Sequence, residues 1–282
     1  MVVTLLGAAE IRALAADLDV TPTKKLGQNF VVDANTVRKI VHVARVTADD
    51  HVVEVGPGLG SLTLAILETG APVTAVEIDH RLAARLAQTA AAHGVPDGAL
   101  SVIAADALRI TELPGEPDVL VANLPYNVSV PVLLHFMETF AGIRRGVVMV
   151  QAEVGERLAA PSGSKTYGAP SVKAAWYGTW RLAGTVSRQV FWPVPNVDSV
   201  LVAFDRDPQP RGDEGERRRT FRIVDAAFQQ RRKMLRQALA GVLGGTAAEA
   251  SAVLEAAGVA PTARGEDLTI DDFVAISRAH VI

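Results

Sequence analysis

Apolar positions along this chain follow two rhythms, and the switch between them marks out most of its elements. Short, nearly continuous apolar runs bounded by turn residues predict buried strands at residues 51–55, 72–78, 100–104, 118–122 and 146–151. Between them, apolar residues at three- and four-residue spacing predict helices. One runs to Arg45 behind a cap at Asp33 or Asn35, and one spans 61–69 and closes at Gly70. An Ala-rich helix follows, capped by Asp79 and closed by Gly94, and a further one covers 130–140. Strands and helices taking turns in this way predict an α/β domain, a parallel sheet with helices on both faces.

Past Pro170 the rhythm changes. Residues 172–182, 185–191 and 197–204 read as a terminal pair of strands with a loop at Pro193 and Pro195. The stretch 205–215, rich in Pro, Gly and charge, reads as a linker, and 217–243, 246–257 and 270–279 read as helices. Two domains are therefore expected: an α/β domain over 1–207 and a small all-α domain over 208–282.

Composition narrows the class. With 282 residues and 49% hydrophobic, the chain has material for a full core plus a smaller unit. No run approaches the roughly 18 continuous apolar residues of a membrane helix. The N-terminus lacks a basic segment ahead of an apolar one, so no signal peptide is read. The absence of Cys excludes disulfides and thiolate metal sites and fits a cytoplasmic protein. A net charge of −3 argues against nucleic acid as a partner, but the basic residues are clustered. Lys24 and Lys25 are adjacent, and Arg217, Arg218, Arg219 and Arg222 precede Arg231, Arg232, Lys233 and Arg236. Such runs are either a solvated helix face or a phosphate footprint.

Candidate chemistry gathers at the strand ends. Glu54-Val55-Gly56-Pro57-Gly58-Leu59-Gly60 joins the first strand to its helix. Glycines at alternate positions let the main chain turn tightly and come close to a ligand. The spacing differs from the Gly-x-Gly-x-x-Gly that seats a pyrophosphate, which favours S-adenosylmethionine over NAD. Glu77 ends the second strand, where a carboxylate can accept ribose hydroxyls, and Asp106 follows the third, where an acid can meet an adenine amine. Glu54 could equally brace the loop, and Asp106 could equally cap a turn. Asn123-Leu124-Pro125-Tyr126 follows the 118–122 strand at its carboxyl end, the binding edge of an open α/β sheet. An amide oxygen, a main-chain carbonyl and an aromatic face suit a planar base with an exocyclic amine, although Asn and Pro are also ordinary turn residues.

Taken together these motifs resemble one family, the KsgA-type rRNA adenine N6-dimethyltransferases of the small ribosomal subunit. Lys24-Lys25-Leu26-Gly27-Gln28-Asn29-Phe30 resembles the family's N-terminal cofactor lid, and the glycine loop and the 123–129 strand end resemble its catalytic motifs. Phe191-Trp192-Pro193-Val194-Pro195-Asn196-Val197-Asp198-Ser199 resembles its second base-binding loop. Phe228-Gln229-Gln230-Arg231-Arg232-Lys233 with Pro261–Glu266 resembles its helical domain. The resemblance implies a Rossmann-like class I methyltransferase fold with a mostly parallel seven-stranded sheet, and S-adenosylmethionine as cofactor. It implies cofactor contacts from Asn29, Val31, Glu54, Gly56, Gly58, Gly60, Glu77, Asp106 and Asn123. Asn123, Leu124, Pro125, Tyr126 and Phe191 would form the catalytic set, the last with Tyr126 as stacking rings whose alternative is core packing. Lys24, Lys25, Arg231, Arg232, Lys233 and Arg236 would contact RNA. The implied substrate is a pair of adjacent adenosines in a hairpin loop near the 3′ end of 16S rRNA, within the 30S subunit, and the enzyme is expected to be a monomer. The rival readings are a large-subunit adenine methyltransferase of the antibiotic-resistance kind, a DNA adenine methyltransferase, and an assembly factor with secondary catalysis.

Overall fold

The computed structural model describes residues 3–19, 29–125 and 128–280. The chain divides into two compact units, Met1–Gly155 with Arg181–Arg206, and Glu156–Trp180 with Asp207–Ile282.

The first unit begins with α1 (Ala8–Asp17), β1 (Phe30–Val31) and α2 (Ala34–Val43). Asp33 caps α2 by accepting the Thr36 N–H at 2.7 Å, leaving Asn35 inside the helix. Then come β2 (Val52–Val55), α3 (Ser61–Leu67), β3 (Val73–Glu77), α4 (His80–Ala92), β4 (Leu100–Ala104), β5 (Val119–Asn123), α5 (Ser129–Thr139) and β6 (Arg145–Gln151). After α6 (Ala152–Leu158) and α7 (Ala169–Ala175), strands β7 (Gly178–Val186), β8 (Phe191–Trp192) and β9 (Ser199–Arg206) complete the α/β part.

The main sheet has seven strands in the order β4-β3-β2-β5-β6-β9-β7. Pairs from β4 to β6 are parallel, and β9 runs antiparallel to β6. Val52, Val53, Val119, Val121 and Val147 are fully buried, as expected where helices cover both faces of a parallel sheet. β1 and β8 form a separate antiparallel ribbon. The register decides where chemistry can occur. Val55 pairs with Val76 on one side and Ala122 on the other, so Gly56, Glu77 and Asn123 leave the sheet at one edge. At Gly146 the strands come close: a Cβ there would meet the Leu120 carbonyl oxygen and lie 2.6 Å from the Phe204 ring.

The second unit is helical. It holds α8 (Glu214–Gln229), α9 (Leu235–Ala238), α10 (Ala247–Ala256) and α11 (Ile270–Ala279). Thr246 and Thr269 close capping boxes with Glu249 and Asp272. Phe228 and Phe273 meet in its core with ring centroids 6.3 Å apart, and Tyr167 packs on Phe228 at 6.1 Å and donates its hydroxyl to the Leu268 carbonyl at 2.8 Å. These contacts draw residues 156–180 into the helical unit, in addition to the segment expected from 208 onward.

Three expectations are corrected. Residues 185–191 do not form one strand: β7 ends at Val186, Arg188–Val190 form a single 3-10 turn capped by Ser187, and β8 covers only Phe191–Trp192. The run 172–182 is not one strand: Gly168 and Pro170 open helix α7, and the strand starts only at Gly178. Pro in the first turn followed by Ala-rich sequence is a helix start, which the apolar pattern alone concealed. Nor is 217–243 one helix. Helix α8 ends at Gln229, and the chain turns so that Leu235 N–H can bond the Ala263 carbonyl at 2.8 Å. Among the described residues no helix is long and apolar enough to cross a membrane.

Candidate active site

A cavity of about 270 Å³ opens at the carboxyl edge of β2, β3 and β5. The loop after β2 forms its floor. Gly56 and Gly58 have φ of +70° and +58°, conformations that side chains rarely adopt, and a Cβ at Gly58 would come within 3.0 Å of the Phe30 ring. Gly60 (φ +101°) serves the helix instead, capping α3 against Leu86, and does not line the cavity.

Two carboxyl groups are buried beside this loop. Glu77 (5% exposed) accepts the Gly58 N–H and the Asp79 N–H, both at 3.0 Å. A carboxylate has about four acceptor positions, so capacity remains for a ligand's hydroxyls. Burial pushes the Glu77 carboxyl above its ordinary range, with the two backbone donors working against that rise. Burial pushes Glu54 further, up to about 8; the nearby Thr63 hydroxyl offsets this in part and the Glu77 charge adds to it. No described residue hydrogen-bonds Glu54 Oε2.

Asn123 ends β5. Its Nδ2 donates to the Asn29 carbonyl at 3.2 Å, which fixes the amide orientation and leaves Oδ1 as an acceptor. The Leu124 side chain is buried and its N–H bonds the Met149 carbonyl at 3.1 Å, while no described residue donates to its own carbonyl. Pro125 lines the cavity beside them. The ribbon of β1 and β8 delivers Asn29: Phe30 pairs with Trp192 in register, and their rings stack with centroids 6.4 Å apart at 23°.

The cavity thus brings together Asn29, Val31, Glu54, Gly56, Gly58, Glu77, Asp106 and Asn123–Pro125. Asp106 is also a turn residue, accepting the Leu108 N–H at 2.9 Å. Phe191 differs from expectation: it is 2% exposed, paired with Val31 and packed in the core, so here it presents no open stacking face. Lys24, Lys25 and Tyr126 lie outside the described residues. Ile78 and Leu108, 55% and 38% exposed, line the cavity although neither was expected there from the sequence. Large apolar side chains soon after strand-end acids were the available signal.

Residues 21–280 match the family model described as ribosomal RNA adenine dimethylase. The chain belongs to this family. Among its relatives, the ribosomal RNA small subunit methyltransferase A of Leifsonia xyli is 67% identical over 275 residues, covering 97% of this chain and 98% of that protein. The enzyme of the same name from Streptomyces coelicolor is 58% identical, covering 98% and 97%. A dimethyladenosine transferase from Plasmodium falciparum shares the fold, with a TM-score of 0.75 at 23% identity over 86% of this chain and 94% of that one. So does the 23S rRNA methyltransferase ErmE, with a TM-score of 0.66 at 24% identity over 90% and 100%. The chain is an S-adenosylmethionine-dependent rRNA adenine dimethyltransferase.

In this dimethylase the basic residues of the helical unit separate into two groups. Arg231, Arg232 and Lys233 lie in the turn after α8, not on a helix face. All three are exposed, and Arg231 is also engaged by Glu266 at 2.8 Å and the Lys165 carbonyl at 2.9 Å. Arg236 sits in α9 and is half-buried.

Proposed function

We propose that the chain dimethylates N6 of two adjacent adenosines in a hairpin loop near the 3′ end of 16S rRNA, on the small ribosomal subunit during its assembly. The observation that carries this reading is the pinned Asn123 amide beside the Leu124 carbonyl. Two acceptors at one strand end match the two N–H groups of an adenine amine. The relatives at identities of 67% and 58%, both ribosomal RNA small subunit methyltransferases A, support the small subunit as the substrate. Such a substrate puts the working enzyme, a monomer, in the cytoplasm.

The residues fit the cofactor. A floor of left-handed glycines admits a ligand that a Cβ would exclude, and the unpartnered buried oxygen of Glu54 suits a cationic group. Glu77 would accept ribose hydroxyls, Asp106 an adenine amine, and Ile78 and Leu108 would flank the adenine ring. Asn29 and the Val31 main chain would close over the methionine end. Bound S-adenosylmethionine supplies an electrophilic methyl group.

The adenine amine is a weak nucleophile because its lone pair is delocalised into the ring. Asn123 Oδ1 and the Leu124 carbonyl, each accepting one N–H, favour a pyramidal nitrogen and aim its lone pair. Positioning of this kind supplies much of the rate. No general base is required, since the methylated nitrogen is acidic and loses its proton to solvent. A loop adenosine costs little to unstack, and Tyr126 would return roughly 1–3 kcal/mol as a stacking platform. The test is transfer of radiolabelled methyl groups to immature 30S particles compared with 50S particles. Label in 30S particles alone, at two adjacent adenosines, is expected; label in 50S particles alone would overturn the assignment.

A further inference from the structure

The helical unit carries a second basic surface, apart from the turn at 231–233. A cleft of about 650 Å³ lies between α7 and the first half of α8, lined by Lys173, Arg217, Arg218, Arg219, Arg222 and Phe221. Its carboxylates are too few to neutralise it. Asp225 holds Lys173 at 2.7 Å, and Glu214 is shared by Arg217 and Arg218. Arg219 and Arg222 form no ion pair with any described residue, and Arg219 Nε is buried without a hydrogen-bond partner. Phe221 organises the cluster: Arg217 Cζ lies 4.9 Å and Lys173 Nζ 5.3 Å from its ring centroid. Cations stacked on a ring are held in place, which lowers the ordering cost of binding an anion.

We propose that this cleft binds the phosphate backbone of an RNA strand. The excess of guanidinium forks over carboxylates matches phosphate oxygens in geometry as well as charge. Helix α8 rises about 1.5 Å per residue, so Arg218 and the end of the helix at Gln229, where the basic turn begins, are separated by roughly 17 Å along one axis. The unit therefore offers two phosphate contacts that bind different stretches of the same folded RNA. The proposal rests on the chain acting on RNA, and it adds a site where no methyl transfer occurs.

The test uses the full chain and a mixed-sequence RNA duplex of 20 base pairs, with affinity followed by fluorescence anisotropy as salt is varied. In Arg218→Gln/Arg222→Gln, both changes are at exposed side chains, so folding is preserved. Binding at low salt is expected to weaken roughly tenfold, and the slope of log K against log salt to flatten by about 1–2. Glu214→Gln, which removes the one negative charge that Arg217 and Arg218 share, is expected to tighten binding several-fold. Arg12→Gln, which removes a charge from α1 in the other unit, is the control and stays within twofold of the parent. Unchanged affinity and slope in both the double variant and Glu214→Gln would overturn the proposal. So would failure of the parent chain to bind the duplex, or polyglutamate displacing the duplex as well as RNA does. Because methyl incorporation is not measured, failure of the substrate assignment leaves this result standing, and the reverse.

Discussion

Glu54→Gln tests the electrostatics of the site in the absence of any ligand. The Glu54 carboxyl has an ordinary value of 4.5 in the unfolded chain and about 8 when folded, because burial opposes its charge. Between those values the folded state holds a proton that the unfolded state has released. Stability from this group is therefore complete below about pH 4.5 and is lost as pH rises toward 8. The loss amounts to about 1.4 kcal/mol per pH unit, so roughly 2–3 kcal/mol between pH 5.5 and 7.5. Glutamine has the same shape and does not titrate. Urea unfolding of both proteins across that range is expected to give curves that converge in acid and separate toward pH 8, the parent falling faster. A gap already present at the acid end reports only the buried amide; the test is whether the gap grows as pH rises. Parallel pH profiles would show that Glu54 is ionised in the folded chain, and the account of its environment would be wrong.

Other consequences follow from the same structure. At pH 7, entry of the cationic cofactor should draw a proton from Glu54; calorimetry in buffers of different ionisation enthalpy should show net release that shrinks in Glu54→Gln, and identical heats in all buffers would contradict it. Gly146→Ala drives a methyl group into the Leu120 carbonyl and the Phe204 ring, so it should cost about 3 kcal/mol in chemical denaturation; an unchanged midpoint would mean that β5 and β6 part easily. Arg232→Glu/Lys233→Glu should weaken binding to immature 30S particles tenfold or more and flatten its salt dependence, and an unaltered affinity would make the turn a merely solvated one.

Much of the α/β part was legible because a parallel sheet covered on both faces writes its strands as short apolar runs. Leu100–Ala104 and Ile270–Ala279 fall where the pattern placed them, and Asp33, Asp79 and Thr246 cap the helices that follow them. The pattern failed where tertiary contacts decide. Ala169–Ala175 is helical although the residues after it are strand-like, and α8 stops at Gln229, beyond which the Leu235 and Arg236 N–H groups bond the Ala263 and Pro261 carbonyls. At the site, residue types announced Glu54, Glu77 and Asn123, but partners could not be read from them. Nothing in the sequence shows that Asn123 is pinned by the Asn29 carbonyl, that Gly60 faces Leu86, or that Phe191 is buried. The Gly60 contact depends on how α3 packs against α4, and the other two on the β1–β8 ribbon, whose strands lie far apart in the chain and are too short to leave a period.

The central claim is that Asn123 holds the amine and contributes far more to methyl transfer than to cofactor binding. Single-turnover methyl transfer to immature 30S particles by Asn123→Ala, with S-adenosylmethionine affinity measured on the same preparation, tests it most directly. The predicted result is a rate lower by a factor of at least about 100–1,000, the usual effect of removing one positioned polar group from a reacting centre, with cofactor affinity changed only a few-fold. Near-normal transfer at saturating cofactor would contradict it.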